Sequence, residues 1–147
     1  MLVSGFMVPA DKVVKCSEFD PIQTAVDLLI ERKISCVVVM GNTENPAGIV
    51  TKTDIVAAYK SGTSLQEKVE AIMNRDLKTV KDTDDRDHAA KIFEHIETHH
   101  AIVLDNNDKF VGLISAWDIA AECARDARAW PWTRAADGKV HSAAGVF

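Results

Sequence analysis

Two four-residue segments set a hydroxyl three positions ahead of a carboxylate: Thr51-Lys52-Thr53-Asp54 and Ser115-Ala116-Trp117-Asp118. Each follows a short aliphatic run. A helix opening there puts the hydroxyl at its N-cap and the acid in its first turn. That approximates a capping box, worth about 1 kcal/mol per helix. The same arrangement suits a ligand. A helix start offers unpaired N–H groups and the positive end of the helix dipole to a phosphate or to polar sugar oxygens. A first-turn carboxylate accepts hydrogen bonds from both hydroxyls of a ribose. Capping and binding are compatible, so both readings stand.

Other chemistry is sparse. The chain has no Gly-x-Ser-x-Gly nucleophile elbow, no Gly-x-x-x-x-Gly-Lys phosphate loop and no paired metal-ligand signature, so no catalytic residues are assigned and a non-enzyme is expected. His95 and His99 are four apart but lack a third partner at regular spacing, which leaves metal binding unsupported. Cys16, Cys36 and Cys123 sit on or beside apolar segments without CxxC spacing, as buried free thiols do in a reducing, cytoplasmic compartment. A net charge of −5 over 147 residues, with no Lys/Arg block, argues against nucleic-acid binding. No apolar run approaches the ~20 residues of a membrane span, and Ser4, Gly5 and Pro9 break up the start as a signal peptide.

The elements that position the two segments are read from a repeat. Gly48-Ile49-Val50-Thr51-Lys52-Thr53-Asp54-Ile55 aligns with Gly112-Leu113-Ile114-Ser115-Ala116-Trp117-Asp118-Ile119, an offset of about 64 residues that continues upstream through Val39 and Val103 and through Asp20 and Asp84. After a short shift, Phe6-Met7 matches Ile72-Met73. Each copy reads as strand, helix, strand, strand, helix. In the first, Val13 to Cys16 is a strand, Asp20 is a helix N-cap before Pro21, and Ile22, Ala25, Val26, Leu29 and Ile30 form a buried helical face. Cys36 to Met40 and Ala47 to Val50 are strands, and a helix runs from Thr51 to about Lys60. In the second, strands fall at Leu77 to Val80, His100 to Leu104 and Lys109 to Ile114, with helices near Asp84 to Ile96 and Ser115 to Arg128. Leu65 to Met73 reads as a lead-in helix. The domains are expected at residues 1–62 and 63–130, with a mobile tail over 131–147; Trp130 and Trp132 flank Pro131 at its start, as an anchor for the body or a partner. The fold class is α+β, two β-α-β-β-α units packed sheet to sheet with clefts between them.

Phe6-Met7, Ile34-Ser35-Cys36-Val37-Val38-Val39 and the Gly-Ile-Val-Thr-x-x-Asp ending together resemble a CBS domain, and the second half resembles another, so the pair looks like a Bateman module. The resemblance implies a pseudo-two-fold regulatory body whose clefts bind AMP, ADP, ATP or S-adenosylmethionine, with no required cofactor, often as a flat homodimer acting on a partner protein. Some such modules bind no nucleotide, so a dimerisation or interaction module is the alternative. Asp54 and Asp118 are then the ribose ligands, with Thr51 and Ser115 at ribose or phosphate. Val14 and Lys15, and Lys78, Thr79 and Val80, begin the strands that would wall an adenine. His99, His100 and Lys52 are the phosphate cations or else solvated surface residues. Ser35 and Cys36, the first-copy counterparts of the two histidines, are neutral, so the two sites should differ. Trp117 is a packing or dimer-face residue, or a base stacker.

Overall fold

The central strands show how the sequence places its layers. In Cys36-Val37-Val38-Val39-Met40 alternate side chains turn to opposite faces of the sheet. Val37 and Val39 pack with Ala25 and Leu29 under a helix. Cys36 and Val38 pack with Ile102 of the second copy. The second copy follows the same rule: Ala101 and Val103 lie with Ala89 and Ile119 on the helix side, and Ile102 and Leu104 face the first copy. Both faces of each sheet are therefore covered, as the continuous apolar runs require.

The computed structural model describes residues 1–95, 99–125, 132–134 and 140–142. It is an α+β fold of strands β1 (Val8–Pro9), β2 (Lys15–Ser17), β3 (Cys36–Met40) and β4 (Pro46–Thr51) with helices α1 (Ile22–Glu31) and α2 (Lys52–Ser61), followed by β5 (Thr79–Lys81), α3 (Arg86–His95), β6 (His100–Leu104), β7 (Phe110–Ser115) and α4 (Ala116–Arg125). One sheet has the order β2-β3-β4, the other β1-β7-β6-β5. In each, the first strand of the copy runs parallel to the second, and the second antiparallel to the third. The two sheets pack face to face through Val13, Val38, Ile49, Ile102 and their neighbours.

The copies exchange their lead-in segments. Strand β1 comes from the N-terminus yet pairs with β7 of the second copy, Val8 opposite Leu113. Reciprocally, Asn74 and Ile49 exchange two backbone hydrogen bonds of 2.8 and 3.0 Å. Val3, Phe6 and Met7 thus complete the second copy's core, and Val69, Ile72 and Met73 the first's. Two glycines permit the crossings. A Cβ on Gly112 would lie 2.7 Å from the Val8 carbonyl oxygen, and one on Gly48 would lie 2.9 Å from that of Asn74.

Several local expectations are corrected. Residues 65–73 do not form a helix; only a 3₁₀ turn, Val69–Ala71, is present. The carbonyls of Leu65 and Glu67 instead accept from Gln23 and Ile22, at 2.9 and 2.8 Å, and so satisfy orphan N–H groups at the start of α1. For the same reason Asp20 is not the cap of α1, whose N-cap is Pro21. The Asp20 carboxylate accepts from the Ser17 N–H at 2.9 Å, and its repeat mate Asp84 accepts from the Lys81 N–H at 2.9 Å. Both acids close the turn after a parallel strand. Within 131–147, β8 (Trp132–Arg134) pairs antiparallel with β9 (Val140–Ser142). Trp130 lies outside the described residues.

Candidate functional site

Strands β4 and β7 each end in the hydroxyl residue that starts the next helix. The Thr51 N–H donates to Asp54 Oδ2 at 2.8 Å, and its hydroxyl donates to the same oxygen at 3.1 Å. The Ser115 N–H donates to Asp118 Oδ2 at 2.9 Å, and the Asp118 N–H donates to Ser115 Oγ at 3.1 Å. These are capping boxes, as the spacing predicts. A carboxylate offers about four lone-pair sites on two oxygens, so each acid keeps acceptor capacity beyond its cap.

Face-to-face packing brings the two helix starts to one crevice of about 740 Å³. Thr51, Lys52 and Asp54 line it from the first copy, and His99, His100, Ser115 and Trp117 from the second. The Trp117 indole is 78% exposed, so it stands at the lip and is not a core residue. A recess of about 210 Å³ adjoins the crevice, walled by Val13, Val14, Ile34 and Cys36 of the first copy and by Ser115 and Asp118 of the second. It joins one copy's strand start to the other copy's acid. The repeat mates of its lining, Ile49, Thr51, Asp54, His99 and His100, lie in the larger crevice itself, and a small internal space between Ile49, Leu77, Lys78, His100 and Ala101 lies beside them.

His100 stands at the junction of all three spaces. Its Nε2 lies 3.0 Å from Ser35 Oγ, a hydrogen bond between the copies. Burial pushes its imidazole below the ordinary 6.5, His99 adds to the shift and Asp118 opposes it. His100 is accordingly a neutral hydrogen-bonding group at pH 7 and a poor cation for phosphate. Lys52 and His99 remain at the crevice, both exposed. Cys36, the repeat mate of His100, has its thiol pushed up to about 12 by burial and by Asp54.

Of the residues singled out from sequence, Val14, Thr51, Lys52, Asp54, His99, His100, Ser115 and Asp118 are brought to the crevice or its recess. Lys15 and Thr79 are not. The Lys15 ammonium donates to the Ala10 carbonyl and lies 5.6 Å from the centre of the Phe110 ring. Thr79 is exposed on β5. Lys15 shares the face of Val13, and Thr79 that of Leu77, but each lies one step further along its strand, outside the lining of the crevice and the recess. Sequence reasoning missed Ile34 and Asn74 and treated Ser35 only as a neutral position. The 64-residue register already held the signal, since it sets Ser35 and Cys36 opposite His99 and His100. Among the described residues no cluster of three His, Cys, Asp or Glu is placed to hold a metal, and no helix is long and apolar enough to cross a membrane.

Paired mixed sheets, exchanged lead-ins and two capped helix starts on a shared crevice define a tandem module of duplicated β-α-β-β-α units. The sequence profile of the CBS domain matches residues 3–61 and again residues 69–125, and the chain belongs to that family. An uncharacterized protein of Methanopyrus kandleri is 28% identical over 104 residues, 67% of this chain and 53% of its own length, so the chain spans about half of that relative. Among solved structures, CBSX2 in complex with AMP superposes with a TM-score of 0.75 at 20% identity, over 84% of this chain and 96% of that one; CBSX2 is a CBS-pair protein of Arabidopsis thaliana. The CBS domain of a bacterial CNNM/CorC family Mg2+ transporter in complex with ATP gives 0.75 at 21% identity, covering 84% and 87%. A CBS-domain protein of Agrobacterium tumefaciens gives 0.68 at 27% identity, covering 74% and 82%.

Proposed function

We propose that the chain is a regulatory module that binds an adenosine-containing ligand, of the AMP, ADP, ATP or S-adenosylmethionine class, between its CBS units. One observation carries this reading: the recess pairs an apolar wall, Val13, Val14, Ile34 and Cys36, with the acid and hydroxyl of the opposite unit, Asp118 and Ser115. An apolar slot with a few convergent polar groups suits a base, and the carboxylate suits ribose hydroxyls. The recess opens on the larger crevice, where phosphates would meet Lys52, His99 and the start of α2. The AMP and ATP complexes of the structural neighbours support the same ligand class. In this reading the ligand is a signal and the output is binding to a regulated partner.

Micromolar affinity is expected, about −8 kcal/mol. Isothermal titration with AMP and ATP against wild type and Asp118→Asn tests the assignment. Asparagine keeps an oxygen for the helix cap but removes the charge-assisted ribose contact, so affinity should fall about ten- to a hundred-fold. Equal affinity in the two proteins would refute a ribose at Asp118.

A second reading has its own observation. Ile30, Val56 and Tyr59 are 70%, 67% and 88% exposed, and an apolar groove of about 430 Å³ runs between α1 and α2 through Val26, Leu29, Ile55 and Val56. Such a surface fits a dimer or partner face. Silence of AMP, ADP, ATP and S-adenosylmethionine in a thermal-shift panel would favour this role alone, because a ligand of the native state must raise its melting temperature.

A further inference from the structure

We propose that the ligand is a phosphorylated nucleotide and not S-adenosylmethionine, and that the adjacent histidines His99 and His100 take up a proton when it binds, so that the module reads pH together with nucleotide. The inference rests on the function proposed above and adds to it the charge class of the ligand and its regulation.

The permanent charges around the crevice do not suit a phosphate by themselves. Among the described residues, two ammonium groups, Lys12 and Lys52, and two carboxylates, Asp54 and Asp118, line the crevice and its recess. Their charges cancel. A phosphate monoester brings about −1.5 to −2 at pH 7, so it needs further counter-charge there. Two imidazoles line the same crevice, and imidazole is the side chain whose charge changes between pH 5 and 8. His100 is 8% exposed and lies 3.0 Å from Ser35 Oγ across the copies. Burial, and then the neighbouring His99, hold it below the ordinary 6.5 against the pull of Asp118, so it is neutral at pH 7 without an anion. The other elements around it add no surplus charge of one sign. Cys36 of β3 is a neutral thiol, and Lys52 and Asp54 of α2 carry opposite charges. Lys78 is paired with Asp76 at 3.0 Å, and Lys12 faces the recess that Asp118 also lines. His99 is exposed at the crevice. A phosphate beside the two rings reverses the balance: it offsets their mutual repulsion and favours a positive charge on either. S-adenosylmethionine carries a sulfonium cation, which that proton would oppose.

Isothermal titration of the intact chain at pH 8.0 and pH 6.5, with AMP, adenosine and S-adenosylmethionine as probes, tests this. The bound form holds more protons than the free form, so affinity must rise as pH falls. An imidazole carried by its ligand from 6.5 to about 7.5 makes binding about fourfold tighter at pH 6.5 than at pH 8.0. Wild type should show that gain for AMP and none for adenosine, which has no phosphate. His99→Gln combined with His100→Cys should abolish it. The second ionisation of AMP itself, near about 6, is common to both proteins and cancels in their ratio. If the buried substitution does not fold, imidazole resonances of wild type read the same event: with saturating AMP, one of the two rings should titrate at higher pH than without it. Equal AMP affinity at both pH values, an undiminished gain in the double variant, unmoved resonances, or S-adenosylmethionine binding more tightly than AMP at pH 6.5 would overturn the inference and leave an adenosine-ligand module standing. No heat of binding at millimolar AMP, ADP, ATP and S-adenosylmethionine at either pH would overturn both.

Discussion

The surroundings of Asp118 and of its repeat mate Asp54 share backbone pairing, cap geometry and sheet position, yet the spaces they line differ. Asp118 lines a recess of about 210 Å³, whereas Asp54 lies with Ile49, Thr51 and Asn74 in the open crevice of about 740 Å³. Among the strand-start residues around them, Val14 stands against Lys78 and Cys36 against His100. The hydroxyl-x-x-Asp segments are present on both sides because they cap helices on both sides. A duplicated unit can thus keep its stability devices in both copies while the strand residues around its clefts diverge.

The largest effect is expected where the copies interlock. Alanine at Gly112 sets its Cβ 2.6 Å from Met7 Sδ and 2.7 Å from the Val8 carbonyl; alanine at Gly48 meets Met73 Sδ at 2.8 Å and the Asn74 carbonyl at 2.9 Å. The methionine can yield, but the carbonyl sits in a strand or bridge pairing. Overpacking of this kind costs about 1–3 kcal/mol. Gly112→Ala should be the worse of the two, since its contacts are shorter and it displaces a paired strand. Urea denaturation of the two variants would rank them. A wild-type midpoint for Gly112→Ala would mean that β1 does not hold its place against β7.

The caps should cost less and should not discriminate. Ser115→Ala removes the acceptor of the Asp118 N–H, and Thr51→Ala removes the hydroxyl that bonds Asp54. Each should lower stability by about 1 kcal/mol. Thermal melts of both variants would sharpen the comparison. Similar losses fit equal caps in unequal sites, whereas a loss confined to one helix would place the asymmetry in the helix starts themselves.

Much of this molecule is legible in its sequence for one reason: duplication doubles every signal. Strands β3 and β6 match the expected Cys36 to Met40 and His100 to Leu104, because β-branched runs covered on both faces leave little choice of register. The capped helix starts were equally clear. What was hidden is tertiary. No local pattern says that Met7 serves the second copy and Met73 the first, because lead-in exchange is set by which sheet edge stands open. Residues 65–73 have helical periodicity, yet their carbonyls are taken by the start of α1. Lys15 stands at a strand start on the face of Val13, but its contacts with the Ala10 carbonyl and the Phe110 ring are tertiary and lie beyond the recess. The unequal spaces around Asp118 and Asp54 are hidden for the same reason, since no residue type alone reports a volume.

The smallest effect separates Cys36 from His100 as titrating groups. Burial lowers the His100 pKa in the folded chain, while the unfolded chain keeps the ordinary 6.5. Below 6.5 the unfolded state therefore binds more protons than the folded state, and stability must fall as pH falls. The contribution of the neutral imidazole is fully present above 6.5 and fades from there down towards the lowered folded value. Cys36 has its thiol raised to about 12, so it stays neutral in the folded chain throughout this range and contributes no such slope. Urea midpoints of wild type and His100→Cys between pH 7.5 and pH 5 would read the difference, with the carboxylates and remaining histidines common to both proteins. Wild type should lose more stability than the variant over that interval. Parallel curves would show that the imidazole at the junction is as well solvated as a free one.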